Sequence, residues 1–501
     1  MEHSIIVFIV VVAIMIFLIA RKAISVGRNL SDKEDYLYGR HENKGLDVET
    51  TWMTSVASNF QSASVLAIGL TLGYLYGLTM LITAITYSLG IAWIYYETKR
   101  LPDEKQRGVF DSGELPYDRI FKGTDIRWKI IVNVLIYVAL IITAVLEIWL
   151  GSDMINHIVV ALPNTEANIQ MDESGIPVPV AVTSIILTVL LFIYVYAGGY
   201  AVVAKTDKLQ LGYIFLLLII LIFSPVAAAF TQRDITFDWP ALFIGGASAD
   251  LSWGFMALLL GIVFLNVPWQ YVDPQQWQRA HAADNHMVYI DSLPTTVKMV
   301  FITWGIPVSI GAIYAALGNE GVGKDVVSVL EGWKNIDILL GGGGIITGII
   351  FGLSACGIIA AALSTADTVI VATLARLILL NGNELELDII RKRAVAATFL
   401  VWFFAGILYL IDKRVQDVIF AVYSAQVLFA PFFLYFIRNG GSSHIETRKT
   451  ILIVFAYIVS FFIALLLNFS SIFPSGTGYV WPVVVLAMGW FLAHRTMSDN
   501  N

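Results

Sequence analysis

The chain has 501 residues, of which 57% are hydrophobic and only 14% charged, and it carries a formal charge of −7. Soluble proteins hold about 25% charged residues, so this composition, with a mean hydropathy of +0.76, excludes a water-soluble fold and describes an integral membrane protein. A single cysteine, Cys356, excludes a disulfide framework or a cysteine zinc cluster, and no basic run suggests a nucleic-acid partner.

In chain order, the first apolar segment, 4–20, runs into Arg21 and Lys22 with no small-residue cleavage site, which predicts a retained helix rather than a signal peptide. Thirteen apolar segments are long enough to span a bilayer: 4–20, 50–78, 79–98, 129–151, 180–198, 208–230, 251–272, 296–317, 344–379, 391–411, 415–437, 450–468 and 477–494. The glycines at 73 and 77, with Tyr74 and Tyr76 between them, divide the 50–98 stretch into two helices joined outside the membrane. Lys and Arg are dense in 21–45 and 99–129, recur at 391–393 and 448–449, and are missing from 151–179. The positive-inside rule then predicts an outer N-terminus and a cytoplasmic C-terminus, and the expected location is the plasma (inner) membrane. The outer loops 152–179 and 318–343 are too short for a packed domain. The second is expected to hold a short surface helix at 325–339, with the glycines at 341–344 as a hinge into the next span.

Polar groups inside the spans carry the functional signal. Residues 359–368 (IAAALSTADT) place Ala361, Ser364, Thr365 and Thr368 on one helix face, flanked by Asp367. Hydroxyls and a carboxylate on a membrane helix suggest an oxygen-lined cation site, and close helix packing with back-bonded hydroxyls is the competing reading. The second span opens with Thr50, Thr51, Thr54, Ser55, Ser58, Asn59, Gln61, Ser62 and Ser64, which occupy every face. Such a helix is either enclosed by protein or broken near its middle, and a break frees carbonyls for a cation. Asp207 opens the sixth span, while Glu147, near the outer end of the fourth, reads as a snorkelling surface carboxylate. Asn266 and Pro268 predict a break within the seventh span, followed by Trp269 and Asp273–Pro274. Ser424 and Gln426 add polarity to the eleventh. No Lys or Arg is expected at mid-bilayer, so an anionic solute would have to be met by amides or helix dipoles. His281 and His286 read as solvated loop residues, and no hydrolase elbow or His/Glu metal motif suggests an enzyme.

Four of these stretches resemble, in order and at similar spacing, the sodium:solute symporter family, which includes sodium-coupled sugar, proline, pantothenate and sialic acid transporters. They are 57–60 with Gly73, Tyr74 and Gly77; 194–210 (YVYAGGYAVVAKTDKLQ); 273–279 (DPQQWQR); and 360–367. The resemblance implies an all-α LeuT-like fold of about thirteen transmembrane helices with two inverted five-helix repeats. One extra helix (1–48) would precede a core at 49–437, with repeats at about 49–230 and 251–437, and two helices (438–501) would follow. It further implies a sodium site of Ala57, Phe60 and Ala361 carbonyls with Ser364 and Thr365 hydroxyls, and a second cation site of Asp207, Ser364 and Thr368, with Asp367 near it. Asn266 and Trp269 match a pocket asparagine and an aromatic gate of some members. Gln61, Thr83, Ser424 and Gln426 are further pocket candidates. The expectation is a monomeric carrier that brings a small organic solute across the lipid bilayer with Na+. A proton-coupled carrier and a transporter-like solute sensor are the alternatives.

Overall fold

The computed structural model describes residues 2–28, 30, 33–40, 44–110, 115–162, 178–231, 237–245, 253–318, 325–342, 344–379, 386–411, 415–469 and 477–497. Parts of both outer loops, 163–177 and 319–324, and Gly343 of the glycine run lie outside the described residues.

The described residues are almost entirely helical. Helix α1 (Glu2–Gly27) and the short α2 (Lys33–Tyr38) come first. An interrupted span follows, made of α3 (Val48–Asn59), a π-helical turn at Ser62–Ala67 and α4 (Ile68–Tyr76). A 3-10 turn at Gly77–Leu81 leads into α5 (Ile82–Lys99). The short helices α6 (Asp103–Phe110) and α7 (Pro116–Ile120) precede α8 (Ile126–Ala161). Next come α9 (Val178–Thr231), α10 (Trp239–Ile244), α11 (Trp253–Val272) and α12 (Pro274–Ala282). The chain continues through α13 (His286–Ala316), α14 (Val326–Leu339), α15 (Ile345–Leu379) and α16 (Leu387–Ile411). It ends with α17 (Val415–Gln426), α18 (Ala430–Arg438), α19 (Thr447–Phe469) and α20 (Trp481–Met497).

Helices occupy all thirteen expected segments, and ten described stretches are long and apolar enough to cross a membrane. The polar α3 falls outside those ten. Two expected segments, 180–198 and 208–230, are joined in α9, which turns at Gly199 with φ 52° and ψ −137°. That left-handed position, with the Tyr36 carbonyl lying where a Cβ would stand, admits only glycine without strain. The predicted surface helix is α14, started by an Asp325–Ser328 capping box.

Apolar side chains turn outward as well as inward, as a hydrocarbon solvent allows. Ile6, Ile9, Ile14 and Phe17 of α1 are exposed, while Thr51, Ser58, Asp207, Asp367 and Arg279 are buried. Helix α15 is among the most enclosed of the described spans and packs against α9, α8 and α1. Its small residues permit this: Gly357 meets Leu217 of α9, and Gly352 meets Val11 of α1.

Candidate functional site: a broken helix and a buried carboxylate network

Four polar side chains of α3 are satisfied within the helix or at its cap. Thr51 donates to the Asp47 carbonyl (2.7 Å), Ser55 to Thr51 (2.8 Å), Ser58 to Thr54 (2.7 Å) and Asn59 Nδ2 to Ser55 (2.7 Å). Each bond runs back one turn and removes a polar side chain from competition with the backbone. The helix ends at Asn59, and Phe60 adopts φ −87°, ψ 85°. The carbonyls released there are taken by side chains of other helices. The Ser58 carbonyl accepts from Thr365 Oγ1 of α15 (3.2 Å), and that of Asn59 accepts from Trp304 Nε1 of α13 (2.9 Å). The Asn59 side-chain oxygen accepts from Tyr87 OH (2.6 Å), whose ring stacks on Trp304 at 4.0 Å between centroids.

Beyond the break, the amide and hydroxyl of Ser62 both donate to Glu147 Oε2 of α8, at 2.7 and 2.5 Å. Glu147 is only 1% exposed. The expected snorkelling carboxylate is therefore an internal anchor of the broken helix. Helix α8 runs about ten residues beyond the apolar segment read from the sequence, which puts Glu147 well inside it.

A second acidic group lies where α9 meets α15. Ser364 Oγ donates to Asp207 Oδ1 (2.6 Å), and Thr368 Oγ1 reaches the Ser364 carbonyl (2.8 Å) and Asp367 Oδ1 (3.3 Å). Asp207, Ser364, Asp367 and Thr368 are all fully buried, and the two carboxylates are within electrostatic range of each other. Asp207 Oδ2, Asp367 Oδ2, Gln210 Oε1 and the Thr54 hydroxyl make no well-formed hydrogen bond, although Thr54 faces Asp207 and Gln210 faces Asp367. Such buried oxygens are costly unless something meets them. The structure thus brings together all four residues expected around a second cation. Of the five expected at the first, Ala57, Phe60 and Ala361 are fully buried and Thr365 reaches α3 one residue from Ala57, whereas the Ser364 hydroxyl is turned to Asp207.

Arg279 is buried within the helix bundle, a role the sequence reading did not give it. It is 0% exposed, and its Nη2 donates to Ser58 Oγ (2.5 Å) and Gln275 Oε1 (2.9 Å), while Nε and Nη1 have no partner. The reason is where the helix breaks. Pro268 is accommodated within α11, and the chain turns at Asp273, whose side chain caps α12 at the Gln275 amide (3.0 Å). All nine residues of α12 are buried beneath the bundle. His281 and His286 are buried too, His281 against the Tyr38 ring at 4.3 Å and His286 beside Asp103 at 3.0 Å. They are not the solvated loop residues expected.

The region is therefore acidic on balance: Asp207 and Asp273 lie within electrostatic range of the Arg279 guanidinium, Asp367 lies beside Asp207, and Glu147 is buried beyond the break. Oxygen-only ligands of this kind, hydroxyl, carboxylate and carbonyl, suit a hard cation. Among the described residues, no group of three His, Cys, Asp or Glu side chains forms a metal-binding cluster.

The solute-pocket candidates behave differently. Thr83 Oγ1 donates to the Met80 carbonyl (2.8 Å) and Ser424 Oγ to that of Phe420 (2.6 Å). Gln426 Nε2 is fastened to the Leu135 and Ile136 carbonyls of α8 (2.7 and 2.8 Å). Asn266 Nδ2 points to the Thr83 carbonyl and the Thr86 hydroxyl, at 3.4 and 3.3 Å. Trp269 meets Tyr423 edge to face at 4.6 Å, and Tyr423 OH bonds Thr143. Gln61 is half-buried in the break. Asn266 and Thr83 are thus adjacent, and Ser424 and Gln426 serve their own packing. Sequence reasoning missed Arg279, Glu147, Trp304 and Tyr87. For Arg279 the available signal was the Trp and Gln residues around it, which are unusual for a solvated loop.

No protein-family model matches the sequence, and no curated protein sequence matches it. In three dimensions the chain is similar to a Na+-coupled sialic acid symporter solved in a substrate-bound, outward-open state. The TM-score is 0.67 at 14% identity, over 97% of this chain and 96% of that one. The fold of this all-helical membrane protein is accordingly LeuT-like.

Proposed function

We propose that the chain is a secondary active transporter that imports a small organic solute together with sodium by alternating access. The observation that carries this reading is the junction of broken α3 with α15, where Thr365 reaches the freed end of α3 beside a buried carboxylate pair with oxygens that make no well-formed hydrogen bond. One sodium would sit among the Ala57, Phe60 and Ala361 carbonyls with Thr365 and Ser364. A second would meet Asp207, Ser364 and Thr368, with Asp367 balancing its charge. The solute would occupy the space by Gln61, Asn266, Thr83 and Trp269. The core would span 49–437, with the N-terminus outside.

Coupling follows from differential affinity. A cation shared by two helices is held tightly only when they are close, so it biases the equilibrium between the two access states. Each charge moving inward at ~100 mV supplies about 2.3 kcal/mol. A proton in place of the second sodium is favoured by the mutual proximity of Asp207 and Asp367. The test is solute-library uptake into proteoliposomes under an imposed gradient of sodium, of protons at equal sodium, or of potassium. Uptake driven by sodium alone supports the proposal. Uptake driven by protons alone assigns the carboxylates to proton transfer, and uptake indifferent to all three gradients rejects coupling.

A further inference from the structure

A separate polar cavity of about 380 Å³ lies at the span ends, between the loop leading from α7 into α8 and the loop leading from α18 into α19. Its lining includes Arg119, Lys122, His444, Ser442, Ser443 and the backbone of Gly441. The described lining thus presents three nitrogen bases or cations and no carboxylate. Asp118 is turned to Lys129 (3.1 Å), and Asp125 caps α8 at the Arg127 amide (2.9 Å).

The cavity is preformed. The Arg119 guanidinium donates to the Gly108 and Gly441 carbonyls and lies over the Phe436 ring at 5.0 Å, so its charge is fixed in place. The two loops are joined by Ile445 N to the Ile120 carbonyl (2.6 Å), Thr124 to Thr450 (2.7 Å) and Asp125 N to Thr447 (2.7 Å). Gly441, with φ 79°, lets the backbone turn against Arg119.

What lies beside the cavity selects the ligand. The same bonds hold the first turns of α8 and α19 together. From there Ile126, Ile130 and Val134 run down one face of α8, and Ile451, Phe455 and Ile458 down one face of α19, all exposed. The cavity also lies on the face of the protein that its Lys and Arg distribution marks as inner. A headgroup site at the end of two apolar helix faces fits a ligand with a charged phosphate and long chains. We propose that this cavity binds the phosphate headgroup of an anionic phospholipid, whose acyl chains lie along α8 and α19. Such a lipid would fasten the last two helices to the loop that precedes α8.

The test uses the purified full chain in detergent and native mass spectrometry with phosphatidylglycerol, phosphatidylcholine or inorganic phosphate. The variant K122Q/H444Q leaves Arg119, which holds two loops, intact, and its lipid-free unfolding is compared with that of the parent so that lost binding is distinguished from lost fold. Phosphatidylglycerol should bind in preference to phosphatidylcholine and raise the melting temperature, and the double variant should weaken that binding roughly tenfold. Equal binding of the two lipids, or an unchanged affinity in K122Q/H444Q, overturns the proposal. Displacement of phosphatidylglycerol by millimolar inorganic phosphate would assign the cavity to a free anion and overturn the lipid assignment.

Discussion

The hydroxyls of Ser364 and Thr365 on α15 and those of Thr83, Thr86 and Ser424 on α5 and α17 all belong to helices of the bundle, yet they bond in opposite directions. On α15, Thr365 and Ser364 reach across to α3 and α9, and carboxylate oxygens beside them make no well-formed hydrogen bond. On α5 and α17, Thr83, Thr86 and Ser424 turn back to carbonyls three or four residues earlier in the chain. A hydroxyl that closes on its own helix makes polarity tolerable in lipid. A hydroxyl that leaves its helix joins elements that can separate. Cargo and coupling are expected at the second kind.

Substitutions can break or sharpen that contrast. The largest effect is expected at Asp207, where Asp207→Asn keeps the shape and removes a full charge. A unit charge at ~4 Å in an effective dielectric of ~20 is worth about 4 kcal/mol before desolvation, so the sodium dependence of uptake should shift roughly a hundredfold. An unchanged sodium dependence would take Asp207 out of the ion path.

Glu147→Gln comes next. The amide oxygen can still accept from Ser62, but bonds to a charged group are about twice as strong as neutral ones, so the transport rate should fall roughly tenfold while thermal unfolding stays cooperative. A variant as active as the parent would show that the Ser62 anchor is only a packing contact.

Asp47 is a smaller case and touches stability alone. Hydrogen bonding from Thr50 holds its carboxyl below the ordinary aspartate value of 3.8. This contribution is present above that value and is lost as the pH falls through the lowered one. Asp47→Ala removes the cap of α3 and should cost about 1 kcal/mol in chemical denaturation at neutral pH. At the bottom of the series, Ser424→Ala should leave uptake within about twofold. A loss beyond tenfold would make Ser424 a ligand and dissolve the distinction between the two sets of helices.

Sequence reading succeeded where local physics leaves few choices. Nine polar residues in fifteen cannot all face lipid, so enclosure or a break was legible there, as was a short helix at 325–339; the structure shows the break after Asn59 and α14. It failed where the answer depended on tertiary placement. The ring of Pro268 costs a helix one hydrogen bond, and α11 absorbs that loss and turns five residues later at Asp273. The displaced turn sends α12 inward, and Arg279 with it. The arginine alone does not distinguish a buried guanidinium from a solvated one, and only its Trp and Gln neighbours hinted at burial. Glu147 was misplaced for a related reason, since the ends of α8 extend beyond its apolar stretch and hydropathy marks only the stretch.

Ser58 has a consequence for pace. Its hydroxyl accepts from Arg279 while its carbonyl accepts from Thr365, so α12 and α15 both hold α3 at one residue. Parting one charge-assisted and one neutral bond costs about 2–4 kcal/mol where no water replaces them. A carrier that cycles about ten times a second works against a barrier of about 16 kcal/mol. A serine outside both proposed ion sites would then hold up to about a quarter of that barrier. If the proposed transport cycle holds, its pace would be set in part by a residue outside both ion sites.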